Sequence, residues 1–308
     1  GSAAGMLLEA AACITGTDPA KINRLPDTAG MRNEIVIHRA HRLNYDHNFR
    51  AAGARLVEIG DSRTTNEWEL DDAIGENTAA VAFIFAQSQD TALPLPTVLE
   101  IAHRRGVPVI VDAAAMLPPV ENLTRYVDMG ADMVSFSGGK GVLGPQSTGI
   151  LCGRGHLIEA AYMNSAPNST GIGRSAKVCK EEIAGLVTAL ELFVDTDHQA
   201  VAAGWSAKCA HIIAALDDIP GLKVELEEMS PTPIEASRVH PQVLISFETS
   251  WRGPDAQAVA HQLEDDDPSI RVRPTAFTDS IAVIPVNLQD GEEEIVARRL
   301  REVLAARG

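Results

Sequence analysis

The sequence lacks the features that mark secreted, membrane-spanning or metal-stapled proteins. Only four of its 308 residues are cysteines, and no two of them form a CxxC pair, so neither a zinc site nor a redox motif is predicted. No apolar run approaches the length of a membrane span, and no signal peptide is visible. We therefore expect a cytoplasmic protein with reduced thiols and no membrane association.

Positive charge is also scarce. Lysine and arginine total 26 against 42 aspartate and glutamate residues, which gives a formal net charge of -16. Broad nucleic-acid binding needs a basic surface, so a nucleic-acid partner is not expected. Apolar residues make up 45% of the chain, which is enough for a sizeable core, and the length suits a large domain with a smaller one.

The first residues, Gly-Ser-Ala-Ala-Gly, run directly into an apolar helical pattern over residues 3–15. This is an unusual way to begin a protein, and we expect that the natural N-terminal segment is missing from this chain.

Short apolar strands then alternate with amphipathic helices. A helix is predicted at residues 95–105, and buried strands are predicted at residues 81–85, 107–111, 133–136 and 148–152. This alternation is typical of an α/β fold with a largely parallel sheet covered on both faces.

One long helix is predicted from residue 181 to about residue 205, and the pattern changes after it. The later part reads as a smaller α/β domain with a loop at residues 229–240, strands near 222–226, 243–247, 270–273 and 282–285, and helices at 255–263 and 292–306. We therefore predict a large domain over residues 1–200 and a small C-terminal domain over residues 201–308.

Two charged residues follow consecutive predicted strands of the large domain. Asp112 ends the first of them, and Lys140 lies just past the next in Ser-Phe-Ser-Gly-Gly-Lys. Ligands of open α/β sheets bind outside the carboxyl ends of strands, so both side chains are expected in one crevice. Pyridoxal 5′-phosphate (PLP) needs this pair, because a lysine forms its Schiff base and a carboxylate keeps its pyridine nitrogen protonated. A strand-end aspartate and a surface lysine are the alternative interpretation.

The loop around Lys140 is rich in glycine, which allows close backbone approach. Its spacing does not match the GxxxxGK[ST] phosphate loop of nucleotide enzymes, and no helical pattern follows it. Ser137 and Ala114, next to the two charged residues, are predicted to contact the cofactor. Gly1, Ser2 and Ala3 begin a helix whose free N–H groups suit its phosphate, although an ordinary helix start is the alternative.

Two further segments are rich in basic residues. The segment from His38 to His47 contains three histidines; His41 is the candidate to stack on the cofactor ring, and a surface loop or a metal site is the alternative. No metal is predicted, because no carboxylate spacing supports one. Arg174, Lys177 and Lys180 precede a helix, where cations are unfavourable, and are therefore predicted to bind a substrate anion. A solvated surface would explain them equally.

These motifs resemble a known family. The segments VPVIVDAAAMLPPVENL, GADMVSFSGGKGVLGPQSTGILCGR, GIGRSAKVCKEEIAGLVTALE and EDDDPSIRVRP are similar to the selenocysteine synthase-like PLP enzymes of fold type I. This group includes L-seryl-tRNA(Sec) selenium transferase and D-glucosaminate-6-phosphate ammonia-lyase. The resemblance implies the aminotransferase-like fold, Lys140 as Schiff-base lysine, Asp112 as pyridine partner and a phosphate contact at the turn formed by Gly1, Ser2 and Ala3.

The resemblance also implies a homo-oligomer with active sites composed of residues from two subunits. The family's usual segment before the phosphate turn is absent here, as is the tRNA-binding domain of the selenium transferases. Together with the acidic charge, this favours a lyase that removes ammonia or a β-substituent from a small anionic amino acid or amino-sugar acid. Selenium transfer on seryl-tRNA and amino-acid racemisation are the alternatives, and a non-catalytic role is disfavoured by the intact Lys140 and Asp112.

Overall fold

The computed structural model describes residues 1–85, 91–228, 240–275 and 278–305. They divide into two compact units: Gly1–Thr196 forms the first, and the described residues from Asp197 onwards form the second. Within the described residues, no helix combines the length and the apolar character that crossing a membrane requires.

The first unit is built around a six-stranded sheet with strand order β2-β1-β3-β4-β5-β6. The first five strands of this order are parallel, and β6 is antiparallel to β5, so the predicted largely parallel sheet is confirmed. The strands are β1 (Glu34–His38), β2 (Arg55–Ile59), β3 (Thr78–Ile84), β4 (Val109–Asp112), β5 (Met133–Ser137) and β6 (Gly149–Gly153).

Helices lie over both faces of this sheet. They are α1 (Ser2–Thr15), α2 (Pro19–Arg24), α3 (His47–Ala51), α4 (Glu67–Ala73), α5 (Leu95–Arg104), α6 (Asn122–Asp128), α7 (Gly155–Met163) and α8 (Lys180–Asp195). Strand β3 is buried along its whole length and reads Thr-Ala-Ala-Val-Ala-Phe-Ile. A strand covered on both faces carries such a continuous apolar run rather than an alternating pattern.

Helix α1 packs unusually close to the sheet. Its sequence is rich in alanine, and Ala10 and Ala11 are completely buried. A Cβ atom added at Gly5 would lie 2.9 Å from the Cβ of Ser135 on β5, so glycine is what allows the two backbones to approach. This packing fixes the start of α1 relative to the carboxyl end of β5.

The second unit contains a four-stranded sheet with order β7-β8-β10-β9, in which neighbouring strands are antiparallel. Its strands are β7 (Leu222–Glu227), β8 (Gln242–Phe247), β9 (Arg273–Pro274) and β10 (Ser280–Val283), and its helices are α9 (His198–Leu216), α10 (Ala256–Asp265) and α11 (Glu292–Ala305). Most of the loop predicted at residues 229–240 lies outside the described residues.

The prediction of one long helix over residues 181–205 is wrong. The chain forms two helices, because α8 ends at Asp195 and Thr196 is extended. Asp197 then caps α9, and its carboxylate accepts hydrogen bonds from the backbone N–H groups of Gln199 and Ala200. Aspartate at a helix N-cap satisfies donors that would otherwise lack partners, so the cap makes a new helix start favourable here.

Candidate active site

Asp112 and Lys140 lie at the carboxyl ends of neighbouring strands. Asp112 is the last residue of β4 and is 7% exposed; its Oδ1 accepts a hydrogen bond of 3.0 Å from the Ala114 N–H. Lys140 is exposed in the loop after β5. The Ser137 N–H donates to the Ala114 carbonyl oxygen across the gap between the two strands, so both strand ends are tied together.

The charges of this pair act on each other. Burial raises the pKa of Asp112 above its ordinary value, while the Ala114 N–H and the positive charge of Lys140 lower it. A buried carboxylate with a nearby lysine is therefore present at the edge of the sheet where ligands of this fold class bind.

The loop that carries Lys140 is held by its glycines and by the strand that follows it. The Gly138 N–H donates to the Thr148 carbonyl oxygen over 3.0 Å, and the Gly144 N–H donates to the Gly138 carbonyl oxygen over 2.8 Å. A Cβ atom at Gly141 would lie 2.0 Å from the Leu117 carbonyl oxygen. No side chain fits at that position, so Lys140 stands in a loop of fixed path.

The N-terminus of α1 lies beside the start of β6. The backbone nitrogen of Gly1 donates to the Ser147 carbonyl oxygen, and a Cβ at Gly149 would lie 2.8 Å from the Gly1 carbonyl carbon. A cavity of about 240 Å³ opens there and is lined by residues that include Ser2, Gly5 and Lys177. The first turn of α1 contains no acidic residue, so its positive dipole end is available to an anion.

The donor set of this region fits PLP. A lysine amine, a buried carboxylate and a helix N-terminus with free N–H groups are the three groups that the aldehyde, the pyridine nitrogen and the phosphate require. A Cβ at Gly149 would lie 2.9 Å from the Ser2 nitrogen, so glycine at this position lets β6 approach the first turn of α1 closely.

His41 is completely buried at the carboxyl end of β3. Its Nδ1 accepts a hydrogen bond of 3.3 Å from the N–H of Ile84, whose register partner on β4 is Asp112. Its ring lies 4.6 Å from Phe83 in an edge-to-face arrangement and 4.7 Å from His38. The residue thus lies one strand away from Asp112, and its predicted stacking role stays a prediction. No group of three or more metal-binding side chains occurs within the described ranges.

The three predicted anion-binding cations do not form one cluster in the cavity. Lys177 lines the cavity, whereas Arg174 and Lys180 are exposed outside its lining. Glu181 and Glu182 stand in the first turn of α8 and offset the charge of Lys180, so the predicted anion-binding role of the three cations stays a prediction. The Lys180 amine lies 3.7 Å from the carboxylate of Glu181.

Two buried polar residues near the site were not predicted from the sequence. Glu9 on α1 and Ser135 on β5 are both completely buried. A glutamate within the otherwise apolar segment Leu-Leu-Glu-Ala-Ala-Ala is the one signal that could have indicated the first. Nothing in the sequence around Ser135 distinguishes it from an ordinary strand residue.

Comparison with known proteins decides the family. The model of the class-V aminotransferases matches residues 34–248. The chain belongs to this family. Its fold is therefore the PLP-dependent aminotransferase fold and its cofactor is PLP, as the Asp112 and Lys140 pair predicted.

Three relatives of this class-V family member have names that describe different reactions. A D-glucosaminate-6-phosphate ammonia lyase of Salmonella typhimurium is 32% identical over 98% of this chain and 79% of its own. A 5′-C-glycyluridine monooxygenase-decarboxylase of a Streptomyces species is 32% identical over 100% of this chain and 76% of its own. An L-seryl-tRNA(Sec) selenium transferase of Desulfovibrio desulfuricans is 28% identical over 61% of this chain and 42% of its own. The predicted resemblance to this group is confirmed.

A solved structure of D-glucosaminate-6-phosphate ammonia-lyase is similar to the whole chain. It has a TM-score of 0.78 and 31% identity, and the match covers 99% of this chain and 79% of the other. A ureidoglycine-glyoxylate aminotransferase of Bacillus subtilis has a TM-score of 0.62 at 12% identity, which concerns the fold alone.

Proposed function

We propose that this protein is a PLP-dependent lyase that eliminates ammonia or a β-substituent from a small anionic amino acid or amino-sugar acid. The observation that carries the proposal is the lysine and buried carboxylate pair at adjacent strand ends, Lys140 and Asp112, in a chain that is 32% identical to an ammonia lyase over nearly its whole length. D-Glucosaminate 6-phosphate is the first substrate to test, because that relative is named for it.

Bound PLP supplies an aldehyde that links covalently to amines and a ring that withdraws electrons from the substrate Cα. The Lys140 amine would hold the cofactor through its aldehyde and would act as the base for the substrate Cα proton. The Asp112 carboxylate pairs with the pyridine nitrogen and keeps it protonated. The N–H groups of Ser2 and Ala3 would hold the phosphate, and Ser137 and Ala114 would supply further contacts to the cofactor.

We assign His41 to the stacking position on the ring and Arg174, Lys177 and Lys180 to anion binding. His41 is supported by its place at the end of β3, beside the strand that carries Asp112. Lys177 is supported by its place in the cavity at the α1 N-terminus. A carboxylate or phosphate bound by these cations would form charge-assisted hydrogen bonds.

The proposed active form is a cytoplasmic homo-oligomer whose sites are completed by a second subunit. Helix α8 exposes the apolar side chains of Ile183, Val187, Leu192 and Val194. The loop that carries Lys140, residues 138–148, is called the lysine loop, and its Leu143 is 79% exposed. A Cβ at Gly185 would lie 2.9 Å from Pro145, so α8 packs directly on that loop. A second copy that covers this apolar surface would therefore lie next to Lys140.

The Streptomyces relative supports a second candidate. Its identity to this chain equals that of the ammonia lyase, and its name describes oxygenation with decarboxylation of a glycyl nucleoside. The lysine, carboxylate and phosphate site would serve that chemistry equally well, because PLP supports several reactions at one type of site.

One assay series tests these functions. Purified protein is incubated with D-glucosaminate 6-phosphate, with serine-like amino acids, with 5′-C-glycyluridine, and with seryl-tRNA and a selenium donor. Ammonia, 2-oxo acid, O₂ uptake, CO₂, solvent-deuterium exchange at Cα and selenium incorporation are measured. We expect ammonia and 2-oxo acid from an anionic amino acid or amino-sugar acid. Exchange of the Cα proton without ammonia would favour a racemase. O₂ uptake with the glycyl nucleoside alone, or selenium incorporation into seryl-tRNA alone, would contradict the lyase.

The lysine assignment is tested separately. Borohydride reduction and peptide mapping should place the pyridoxyl group on Lys140, and Lys140→Ala should abolish the adduct while the exposed control Lys21→Ala retains it. An adduct on another lysine of the wild-type protein would contradict the assignment.

A further inference from the structure

The start of α8 lies beside the cavity at the N-terminus of α1. Lys177 and Val178 come just before α8, and Ile183 belongs to its first turn. All three line this cavity, together with Ser2 of α1 and Gly149 of β6. Three elements that are distant in the chain therefore meet where the cofactor phosphate is proposed to bind.

Glu182 ties the start of α8 to the lysine loop. Its Oε2 accepts a hydrogen bond of 3.0 Å from the backbone N–H of Cys179, and this bond belongs to a capping box at the start of the helix. Its Oε1 accepts a hydrogen bond from the hydroxyl of Ser147, which lies 35 residues earlier in the chain. The second bond does nothing for the helix, so it joins α8 to the end of the lysine loop.

Ser147 in turn contacts the first turn of α1. Its carbonyl oxygen accepts a hydrogen bond from the backbone nitrogen of Gly1, and Gly149, two residues later, packs closely against the Ser2 nitrogen. Direct contacts thus run from Glu182 through Ser147 to the turn whose N–H groups are proposed to hold the phosphate.

The position of Ser147 depends on its side chain. Thr148 is buried, and its N–H donates to the Pro145 carbonyl oxygen over 3.0 Å, which closes a turn at the end of the lysine loop. Ser147 lies in this turn and is exposed, so burial does not fix it. The hydrogen bond to Glu182 supplies the constraint that packing does not.

A carboxylate near a phosphate site would repel the anion if its charge were not engaged elsewhere. Hydrogen bonds from the Ser147 hydroxyl, and then from Cys179, hold the pKa of Glu182 below its ordinary value, so it is ionised at neutral pH. Its charge lies in the first turn of α8, where the helix dipole favours it. Lys177, which lines the cavity, supplies a positive charge for the phosphate.

We propose that Glu182 is a positioning residue for the cofactor phosphate. Through the hydroxyl of Ser147, it holds the end of the lysine loop against the first turn of α1, so that the N–H groups of Ser2 and Ala3 keep the arrangement that a phosphate requires. The inference rests on the phosphate site proposed above. Glu182 does not contact the cofactor in this role.

The test separates the phosphate from the rest of the cofactor. The affinities for PLP and for pyridoxal, which has the same ring and aldehyde without the phosphate, are measured by absorption. Ser147→Ala removes the bond to Glu182 and leaves the capping box intact. We expect it to weaken PLP binding about threefold to tenfold, the effect of losing one exposed hydrogen bond to a charged group. Pyridoxal binding should stay within about twofold of wild type.

Variants of Glu182 test the same bond from the other side. Glu182→Ala should lower the preference for PLP as Ser147→Ala does, and the double variant should lose no more, because both changes remove one interaction. Glu182→Gln should stay within about twofold of wild type, since its amide can accept from the Cys179 N–H and donate to the Ser147 oxygen. Glu181→Ala, in the same turn, is the matched control and should bind both ligands as wild type does. If Glu182→Ala does not fold, Ser147→Ala and Glu182→Gln decide.

A wild-type preference for PLP over pyridoxal in Ser147→Ala would contradict the proposal. Equal losses of both ligands would also overturn it, because they indicate a general structural defect, and Glu182→Gln as weak as Glu182→Ala would rule out action through these hydrogen bonds. A wild-type protein that binds PLP and pyridoxal equally would instead remove the proposed phosphate site itself. The two failures are therefore distinguishable.

Discussion

At the scale of single residues, the structure treats two buried strand-end groups in opposite ways. Asp112 keeps a hydrogen-bond donor and a nearby lysine, whereas His38 at the end of β1 is completely buried and accepts from the Leu93 N–H through Nε2 over 3.3 Å. Burial, and then the neighbouring His41, lowers the pKa of His38 to about 3. His38 is thus held neutral by its burial, whereas Asp112 has a hydrogen-bond donor and a neighbouring positive charge that favour its ionised form.

Asp112→Asn should retain PLP but lose about 100-fold or more in turnover, the range seen when one preorganised electrostatic contact is removed. An amide cannot hold the pyridine nitrogen protonated, so the ring withdraws electrons less strongly. Steady-state kinetics on the substrate found in the assay series checks this, with the exposed Asp72→Asn as control. Unchanged turnover would reduce Asp112 to a structural residue of the strand end.

His38 should make the protein sensitive to acid. Its folded-state pKa of about 3 lies below the ordinary value of 6.5, so the unfolded chain binds the extra proton first and stability falls as pH drops from about 6.5 towards 3. His38→Gln should flatten this slope even if it lowers stability at pH 7. Urea unfolding at a series of pH values measures the slope, and the exposed His156→Gln should leave it unchanged. A His38→Gln slope equal to wild type would contradict the assignment.

At the scale of elements, the position of the lysine depends on backbone packing. The lysine loop approaches the segment after β4 so closely that only glycine fits at position 141, and the loop also contains Leu143 at a φ of 59°. The chain between β5 and β6 therefore behaves as part of the scaffold rather than as a free loop.

Gly141→Ala should displace this loop, because its Cβ would lie 2.0 Å from the Leu117 carbonyl oxygen, which cannot move without the backbone. We expect a loss of about 1–3 kcal/mol in stability, as for other overpacked sites, and weaker PLP binding. Gly155→Ala is the matched control, since its Cβ meets nothing within 4 Å at the start of α7. Thermal unfolding and PLP titration compare them, and equal behaviour of the two variants would refute a packing constraint at position 141.

At the scale of the whole molecule, the apolar surface of α8 is the feature that a single chain leaves unexplained. Ile183, Val187 and Val194 are 53%, 50% and 52% exposed and share one face of α8, while Gly185 on another side of the helix packs on Pro145 of the loop that carries Lys140. Contiguous exposed apolar surface is typical of an interface.

Val187→Glu should weaken self-association, because a charge would be buried in the proposed interface. Sedimentation velocity should show a larger monomer fraction than for wild type, and Glu191→Gln on the same helix should sediment as wild type does. A wild-type protein that is monomeric and fully active would contradict the shared active site.

How far the sequence predicted the molecule depends on the range of the interactions involved. The alternation of buried strands and helices is local and predicted the parallel sheet, and strand ends predicted that Asp112 and Lys140 meet. The start of α9 was missed, because the apolar pattern continues across Asp197 and hides a cap that depends on backbone conformation. Glu181 and Glu182 in the first turn of α8 offset the charge of the neighbouring cations, so position before a helix does not by itself predict an anion site there.

The sequence by itself determined the family and the cofactor, and it predicted the pair Asp112 and Lys140 because these residue types stand at the ends of predictable strands. Only the tertiary structure decided that Glu9 is completely buried and that His41 lies at the end of β3, where its Nδ1 accepts from the Ile84 N–H. It also decided that Lys177 reaches the α1 N-terminus while Lys180 pairs with Glu181. These relations join residues far apart in the chain, and they follow from how α1 and the strands pack rather than from any local pattern.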